Sequence, residues 1–218
     1  MRILIVRPQP GAAATAARVQ ALGHDAIVQP LLATTSVAWH PPATAPDAVI
    51  LTSAAAVRHA GPAAEPLKSL PALCVGAATQ SAALAAGWMH AQAGPGTLQG
   101  LLNAIADGPH RRLLHLAGED RTVAQVPESL SIELIVTYRA RLQPLATLPA
   151  IDAVLLHSPR TAGHFAAEWD RLGCARAHIG VHAISAATLA ATGTGWRAAH
   201  IATTPDEDAL LATLAKAG

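Results

Sequence analysis

One seven-residue segment occurs twice in this chain, and that repeat constrains its fold more than any other feature. Residues 47–53 read Asp-Ala-Val-Ile-Leu-Thr-Ser and residues 152–158 read Asp-Ala-Val-Leu-Leu-His-Ser, identical at five of seven positions. A second matching pair follows each copy: Val75-Gly76-Ala77-Ala78-Thr79 and Ile184-Ser185-Ala186-Ala187-Thr188. In both copies a short apolar run, typical of a buried strand, hands over to small residues and then to an Ala-rich stretch that favours helix. Ala-rich buried strands resemble one another through composition alone. Composition does not explain why two motifs recur in the same order, so the chain is read as two similar α/β domains of about 100 residues each. A ligand of such a protein is expected between the domains, where clefts are favoured sites.

The remaining pattern alternates strand and helix. Residues 2–6, 25–29, 48–52, 72–76, 112–117, 153–157, 178–184 and 198–202 read as strands, and 31–37 and 132–138 as extended. Helices are predicted over 12–22 (closed by Gly23), after Ser53, from Thr79 to near Gly87, and over 98–106 behind Thr97 as N-cap. Three more are predicted after Ser158 to about 172, from about Thr188, and from about Pro205. Such alternation predicts mostly parallel sheets flanked by helices. Pro41, Pro42 and Pro46 mark one candidate domain crossing, and Pro144 and Pro149 a second.

Several function classes are excluded. The formal net charge is +1 and only Lys68 and Lys216 are lysines, which leaves no basic face for nucleic acid. Cys74 and Cys174 are far apart and form no metal or redox motif, so reduced thiols in a cytoplasmic protein are the expectation. The N-terminal apolar run is too short for a signal segment, and no run of about 20 apolar residues predicts a membrane span. There is no Walker loop, no GxGxxG after a strand, no HExxH and no GxSxG. His178 and His182 are four apart in strand-like sequence and make a poor metal pair.

What remains is a set of strand-to-helix turns bearing Ser53, Thr79, Ser158 and Thr188. In parallel α/β folds the carboxyl ends of the strands form the binding crevice, and helix N-termini there attract anions. These residues either cap their own helices or help cradle an anionic ligand. Arg7 and Arg160 follow strands at the same edge, as anion ligands or as solvated surface. Tyr138, the single tyrosine, either packs at a domain edge or relays a proton in the cleft. Glu119, Asp120 and Arg121 after Gly118 read as a solvated turn.

Taken in order, these landmarks resemble the uroporphyrinogen-III synthase family over essentially the whole chain. They are Val6-Arg7-Pro8, Leu51-Thr52-Ser53, Val75-Gly76-x-x-Thr79, His115-Leu116-Ala117-Gly118-Glu119, Val136-Thr137-Tyr138-Arg139, Ser158-Pro159, Ile184-x-x-x-Thr188 and Thr204-Pro205. The sequence departs from the family pattern at Val6, where a hydroxyl residue is common, and at Ser185-Ala186-Ala187, which replaces a Gly-Pro-type turn.

The resemblance implies an interleaved chain. Residues 1–34 with 145–218 would form one domain and 42–134 the other, with 35–41 and 135–144 as paired linker strands. It implies an enzyme without cofactor or metal that closes hydroxymethylbilane, a linear tetrapyrrole polycarboxylate, into uroporphyrinogen III. Water is lost and the last pyrrole ring is inverted. Tyr138 matches the family's tyrosine placed to help the hydroxyl depart, and Thr79 and Thr188 match its cleft-lining threonines. Arg7, Ser53, Gly118, Ser158 and Arg160 complete the expected substrate site. A cytoplasmic monomer that receives substrate in a transient hand-over from hydroxymethylbilane synthase is expected. The rival reading is a non-catalytic two-lobed protein that binds a small polyanion. A glycosyl- or phosphoryl-transferring enzyme is disfavoured, because the chain lacks acidic metal ligands and a phosphate loop at the crevice.

Overall fold

The structure, a computed structural model, describes residues 1–146 and 150–217. Pro149, taken from the sequence as part of the second crossing, lies outside the described residues. The chain divides into two compact units, one of Met1–Ala33 with Arg141–Gly218 and one of Thr34–Ala140. Among the described residues no helix is long and apolar enough to cross a membrane.

The first unit is built on strands β1 (Arg2–Ile5), β2 (Asp25–Val28), β9 (Ala153–Leu156), β10 (Gly180–Ala183) and β11 (Ala198–Ile201). They form a parallel sheet in the order β11-β10-β9-β1-β2. Helices α1 (Gly11–Ala21), α5 (Pro159–Arg171), α6 (Ala186–Ala190) and α7 (Glu207–Ala212) complete it. Both faces of the sheet are covered, as parallel sheets require. Leu4, Val154, Leu156 and Val181 pack with Phe165 and Trp169 of α5 on one side. The alternate residues Ile3, Ile5 and Leu155 pack with Val19 of α1 and Leu210 and Leu211 of α7 on the other. Gly23 follows α1 at φ +80°, the left-handed conformation that closes a helix.

The second unit holds β4 (Ala48–Leu51), β5 (Pro71–Cys74), β6 (His90–Ala93), β7 (Arg112–Gly118) and most of β3 (Leu32–Ser36) and β8 (Ser131–Leu142). The sheet order is β3-β8-β7-β4-β5-β6. Its inner pairs are parallel. At the β3 edge Val37 N–H donates to the Thr137 carbonyl, and Gln143 N–H to that of Leu31. The partners run in opposite directions, so this edge is antiparallel. Helices α2 (Ala54–His59), α3 (Ala77–Ala85) and α4 (Leu98–Ile105) flank the sheet.

The repeat equates β4, β5 and β6 with β9, β10 and β11. Read from those strands outward, β7 stands where β1 stands and β8 where β2 stands. The two units thus share one five-strand order with the chain permuted. The first residue of each repeat does the same work in both. The Asp152 carboxylate accepts the backbone N–H of Arg2 at 2.6 Å. The Asp47 carboxylate accepts those of Arg111 and Arg112 at 2.9 and 2.8 Å. Each Asp therefore ties the start of its own strand to the neighbour. Those two N–H donors, with the Arg112 side chain, hold the Asp47 carboxyl down at about 2. One difference matters for the site. α1 joins β1 to β2, whereas residues 119–130 join β7 to β8 without a helix.

The sequence reading needs four corrections. β6 is not foreseen, because His-Ala-Gln-Ala has no β-branched residue; parallel pairing to β5 makes it a strand. Pro62–Leu67 forms an unforeseen 3-10 segment. His178 lies in a 3-10 turn (Arg176–His178) and not in strand β10. α3 and α6 begin at Ala77 and Ala186, so Thr79 and Thr188 are third residues of their helices and not their openings.

Candidate active site

The carboxyl edge of the second unit's sheet holds a pocket of about 440 Å³. Thr52 and Ser53 line it from the end of β4, His115 and Gly118 from β7, Tyr138 from β8, and Asp120–Ala124 from the helix-free connection.

A β-bulge aims Tyr138 at this edge. Ala117 pairs with Val136 and Gly118 with Tyr138, so Thr137 is the extra residue of β8. Thr137 turns inward, is fully buried, and its hydroxyl donates to the Ala117 carbonyl at 3.4 Å. Tyr138 Oη then lies 3.1 Å from Ser53 Oγ. Its ring stacks on His59 at 5.6 Å between centroids and 24° between planes. Gly118 is required below it, since a Cβ there would stand 2.6 Å from Tyr138 Cζ. Glu119 N–H donates to the Tyr138 carbonyl at 2.9 Å, and the Glu119 carboxylate pairs with Arg139 at 3.0 Å.

Ser53 serves twice. As N-cap of α2 its oxygen accepts the Ala56 N–H at 3.0 Å. Its own proton is then available to Tyr138 Oη, which leaves the phenol proton free for a ligand. His115 forms the floor, with Nε2 3.2 Å from Thr52 Oγ1. Burial, helped by Arg121, pulls its pKa down to about 4, so it is neutral near pH 7.

The first unit carries its own polar group at the matching edge. Arg7 Nη1 lies 2.7 Å from Glu207 Oε2, and Thr15 Oγ1 donates to Glu207 Oε1 at 2.6 Å. His157 Nε2 is 3.1 Å from the same carboxylate. Burial alone would raise the Glu207 pKa. Hydrogen bonds from His157 and Thr15 and the charge of Arg7 outweigh it and hold the carboxyl at about 2. The Arg7 guanidinium lies over Gly11, where a Cβ would stand 2.7 Å from Nε.

The hydroxyl residues predicted from sequence separate into two kinds. Ser53 and Ser158 are N-caps; Ser158 Oγ accepts the Thr161 N–H at 3.3 Å and donates to Thr161 Oγ1 at 2.9 Å. In the later motif the cap is Ser185, which makes the same pair of contacts with Thr188. Thr188 is fully buried and Thr79 nearly so. Arg160 is the second residue of α5. Within the second unit the fold brings Tyr138, Ser53 and Gly118 together. Within the first it gathers Arg7 with three residues that sequence reasoning missed: Thr15, His157 and Glu207. His59 was missed as well. Among the described residues no group of three His, Cys, Asp or Glu side chains is arranged to hold a metal.

Comparison with known proteins decides the family. The family model HEM4, described as Uroporphyrinogen-III synthase HemD, matches residues 13–212. The chain belongs to the uroporphyrinogen-III synthase family. It is an enzyme of tetrapyrrole biosynthesis that cyclises hydroxymethylbilane. Two solved synthases share its fold. Uroporphyrinogen-III synthetase from Helicobacter pylori is 16% identical, covers 99% of each chain and superposes with a TM-score of 0.66. A mutant uroporphyrinogen III synthase from the extremely thermophilic bacterium Thermus thermophilus is 18% identical, covers 100% of this chain and 98% of the other, and gives 0.56. A search of curated proteins finds no match.

Proposed function

We propose that Tyr138 is the general acid of ring closure, and that the carboxyl-edge residues of both units bind the substrate's carboxylates. The observation that carries this reading is the 3.1 Å contact between Tyr138 Oη and Ser53 Oγ at the wall of the pocket. With the Ser53 hydroxyl donating a hydrogen bond to the phenol oxygen, the phenol proton is directed outward. The hydroxyl of hydroxymethylbilane takes that proton and leaves as water. The azafulvene cation that remains is attacked by the substituted carbon of the last ring, giving a spiro intermediate. Fragmentation and reclosure invert that ring. Loss of a proton from the closing carbon restores the aromatic pyrrole and returns the proton to the phenolate, so the balance is one water lost. Spontaneous closure takes the uninverted route. Positioning, more than strong acid–base chemistry, therefore sets the product.

Arg7, Ser158 and Arg160 in the first unit, and Ser53 and Gly118 in the second, are the proposed contact residues; Thr188 and Thr79, which are buried, would shape the turns behind them. Arg160 supplies charge, and Arg7, whose charge is shared with Glu207, supplies guanidinium N–H groups. The small residues let a polycarboxylate approach backbone N–H groups at the helix starts. A monomeric, cytoplasmic enzyme supplied by transient hand-over from hydroxymethylbilane synthase belongs to the same reading, because the substrate closes spontaneously if left free. The test of the acid is Tyr138→Phe, assayed on fresh hydroxymethylbilane with separation of product isomers. Turnover to isomer III should fall steeply, and an unaffected rate would remove Tyr138 from the mechanism.

A further inference from the structure

His59 is the last residue of α2, and neither the family motifs nor the proposed site accounts for it. Both of its ring nitrogens are engaged. Nδ1 lies 2.9 Å from Ser36 Oγ and Nε2 lies 2.8 Å from Thr34 Oγ1. Thr34 and Ser36 are two apart on β3, so their side chains share one face of the strand. Two hydroxyls on one strand thus fix both the position and the plane of the imidazole. A neutral ring satisfies both, donating to one hydroxyl and accepting from the other. Against this fixed plane lies the Tyr138 ring, nearly parallel at 5.6 Å. Gly118 also lies against the phenol, where even a methyl group would stand 2.6 Å from Cζ.

From this arrangement we infer that His59 is a positioning residue for the reaction: its clamped ring is the platform that holds the Tyr138 phenol against Ser53. The inference rests on the proposed role of Tyr138. A phenol free to swing loses the Ser53 contact and with it the direction of its own proton, and small misplacements of an acid are costly in rate. His59 touches no reacting atom. Its effect passes entirely through Tyr138.

That last statement separates a platform from a general structural contact. The experiment measures kcat, KM and melting temperature for the wild type, His59→Ala, His59→Gln, His59→Phe, Tyr138→Phe and the His59→Ala/Tyr138→Phe double variant, with fresh hydroxymethylbilane. His59→Ala and His59→Gln, which lack the ring, should lower kcat about tenfold with KM within about twofold. His59→Phe keeps a ring at the stacking position but not its clamp, and should recover part of that loss. In the Tyr138→Phe background, which has no phenol proton to direct, His59→Ala should cost less than about twofold, because the two residues act as one unit. An equal loss in both backgrounds, a change confined to KM, or wild-type turnover of His59→Ala would overturn the inference. If His59→Ala does not fold, His59→Phe against His59→Gln decides it, since only the ring distinguishes their predicted rates. Full activity of Tyr138→Phe alone would mark failure of the general-acid reading itself, and the platform would fall with it. Loss in Tyr138→Phe with additive His59 effects would sink the platform alone.

Discussion

Gly118 and Tyr138 face each other across a β-bulge so closely that a Cβ on Gly118 would stand 2.6 Å from the phenol ring and 2.7 Å from its oxygen. The phenol position is therefore set by what is absent below it as much as by Ser53 beside it. Gly118→Ala should displace Tyr138. The expected result is a loss of turnover comparable to that of Tyr138→Phe and a destabilisation of about 1–3 kcal/mol from overpacking. Steady-state rates and denaturant melts on the same preparation check both.

Tyr138→Phe removes one oxygen from a half-buried ring and leaves its packing on His59 in place. Turnover should fall by roughly 10²-fold or more, the usual contribution of a positioned acid. The melting temperature should stay close to that of the wild type. A parallel fall in both would mean that the Ser53 contact holds the fold and not the chemistry.

Glu207 accepts from Thr15 and pairs with Arg7 and His157, which joins α7 to α1 and to the turns that follow β1 and β9. Its folded pKa, about 2, lies below the ordinary 4.5. The unfolded chain takes up the proton first, so this contribution is complete above pH 4.5 and fades as pH falls toward 2. Glu207→Gln should destabilise the protein at neutral pH by about 1–3 kcal/mol. The difference from wild type should shrink in acid, as urea midpoints measured from pH 7 to pH 2.5 would register.

His182 is fully buried, with Nδ1 2.7 Å from Thr213 Oγ1 and its ring stacked on His200 at 4.7 Å. Burial, with the charges of His200 and Arg197, lowers its pKa to about 4. His115 is lowered similarly. Here the unfolded chain binds more protons between pH 6.5 and 4, so stability falls as pH drops through that window and levels off below it. His182→Gln should give a shallower fall over the same range, although its stability at pH 7 is expected to be lower. An unchanged slope would show that His182 is not one of the groups responsible.

The sequence makes the architecture readable because buried parallel strands are written as continuous apolar runs. The Asp47–Ser53 and Asp152–Ser158 copies expose the duplication directly. The structure explains their ends: each Asp ties a neighbouring strand and each Ser caps a helix. Those two constraints account for identity at the ends without any role in catalysis. Ser185 is hard to read as the cap because Thr188, three residues on, carries the same chemistry. β6 is hidden because its strand character comes from pairing and not from its residues. Tyr138 is legible as a single phenol at the end of an extended run. The bulge that aims it is not, since one extra residue leaves no mark in the sequence. Glu207 and His59 are also illegible, because their partners lie far away in the chain: Arg7 is 200 residues from Glu207 and Tyr138 is 79 from His59. Side chains that converge only through tertiary structure give no local signal.

The most direct test of the account supplies the purified enzyme with freshly prepared hydroxymethylbilane and resolves the products by chromatography after brief incubation. Uroporphyrinogen III should form, faster than spontaneous closure. Isomer I alone, appearing at the rate seen without protein, would contradict it.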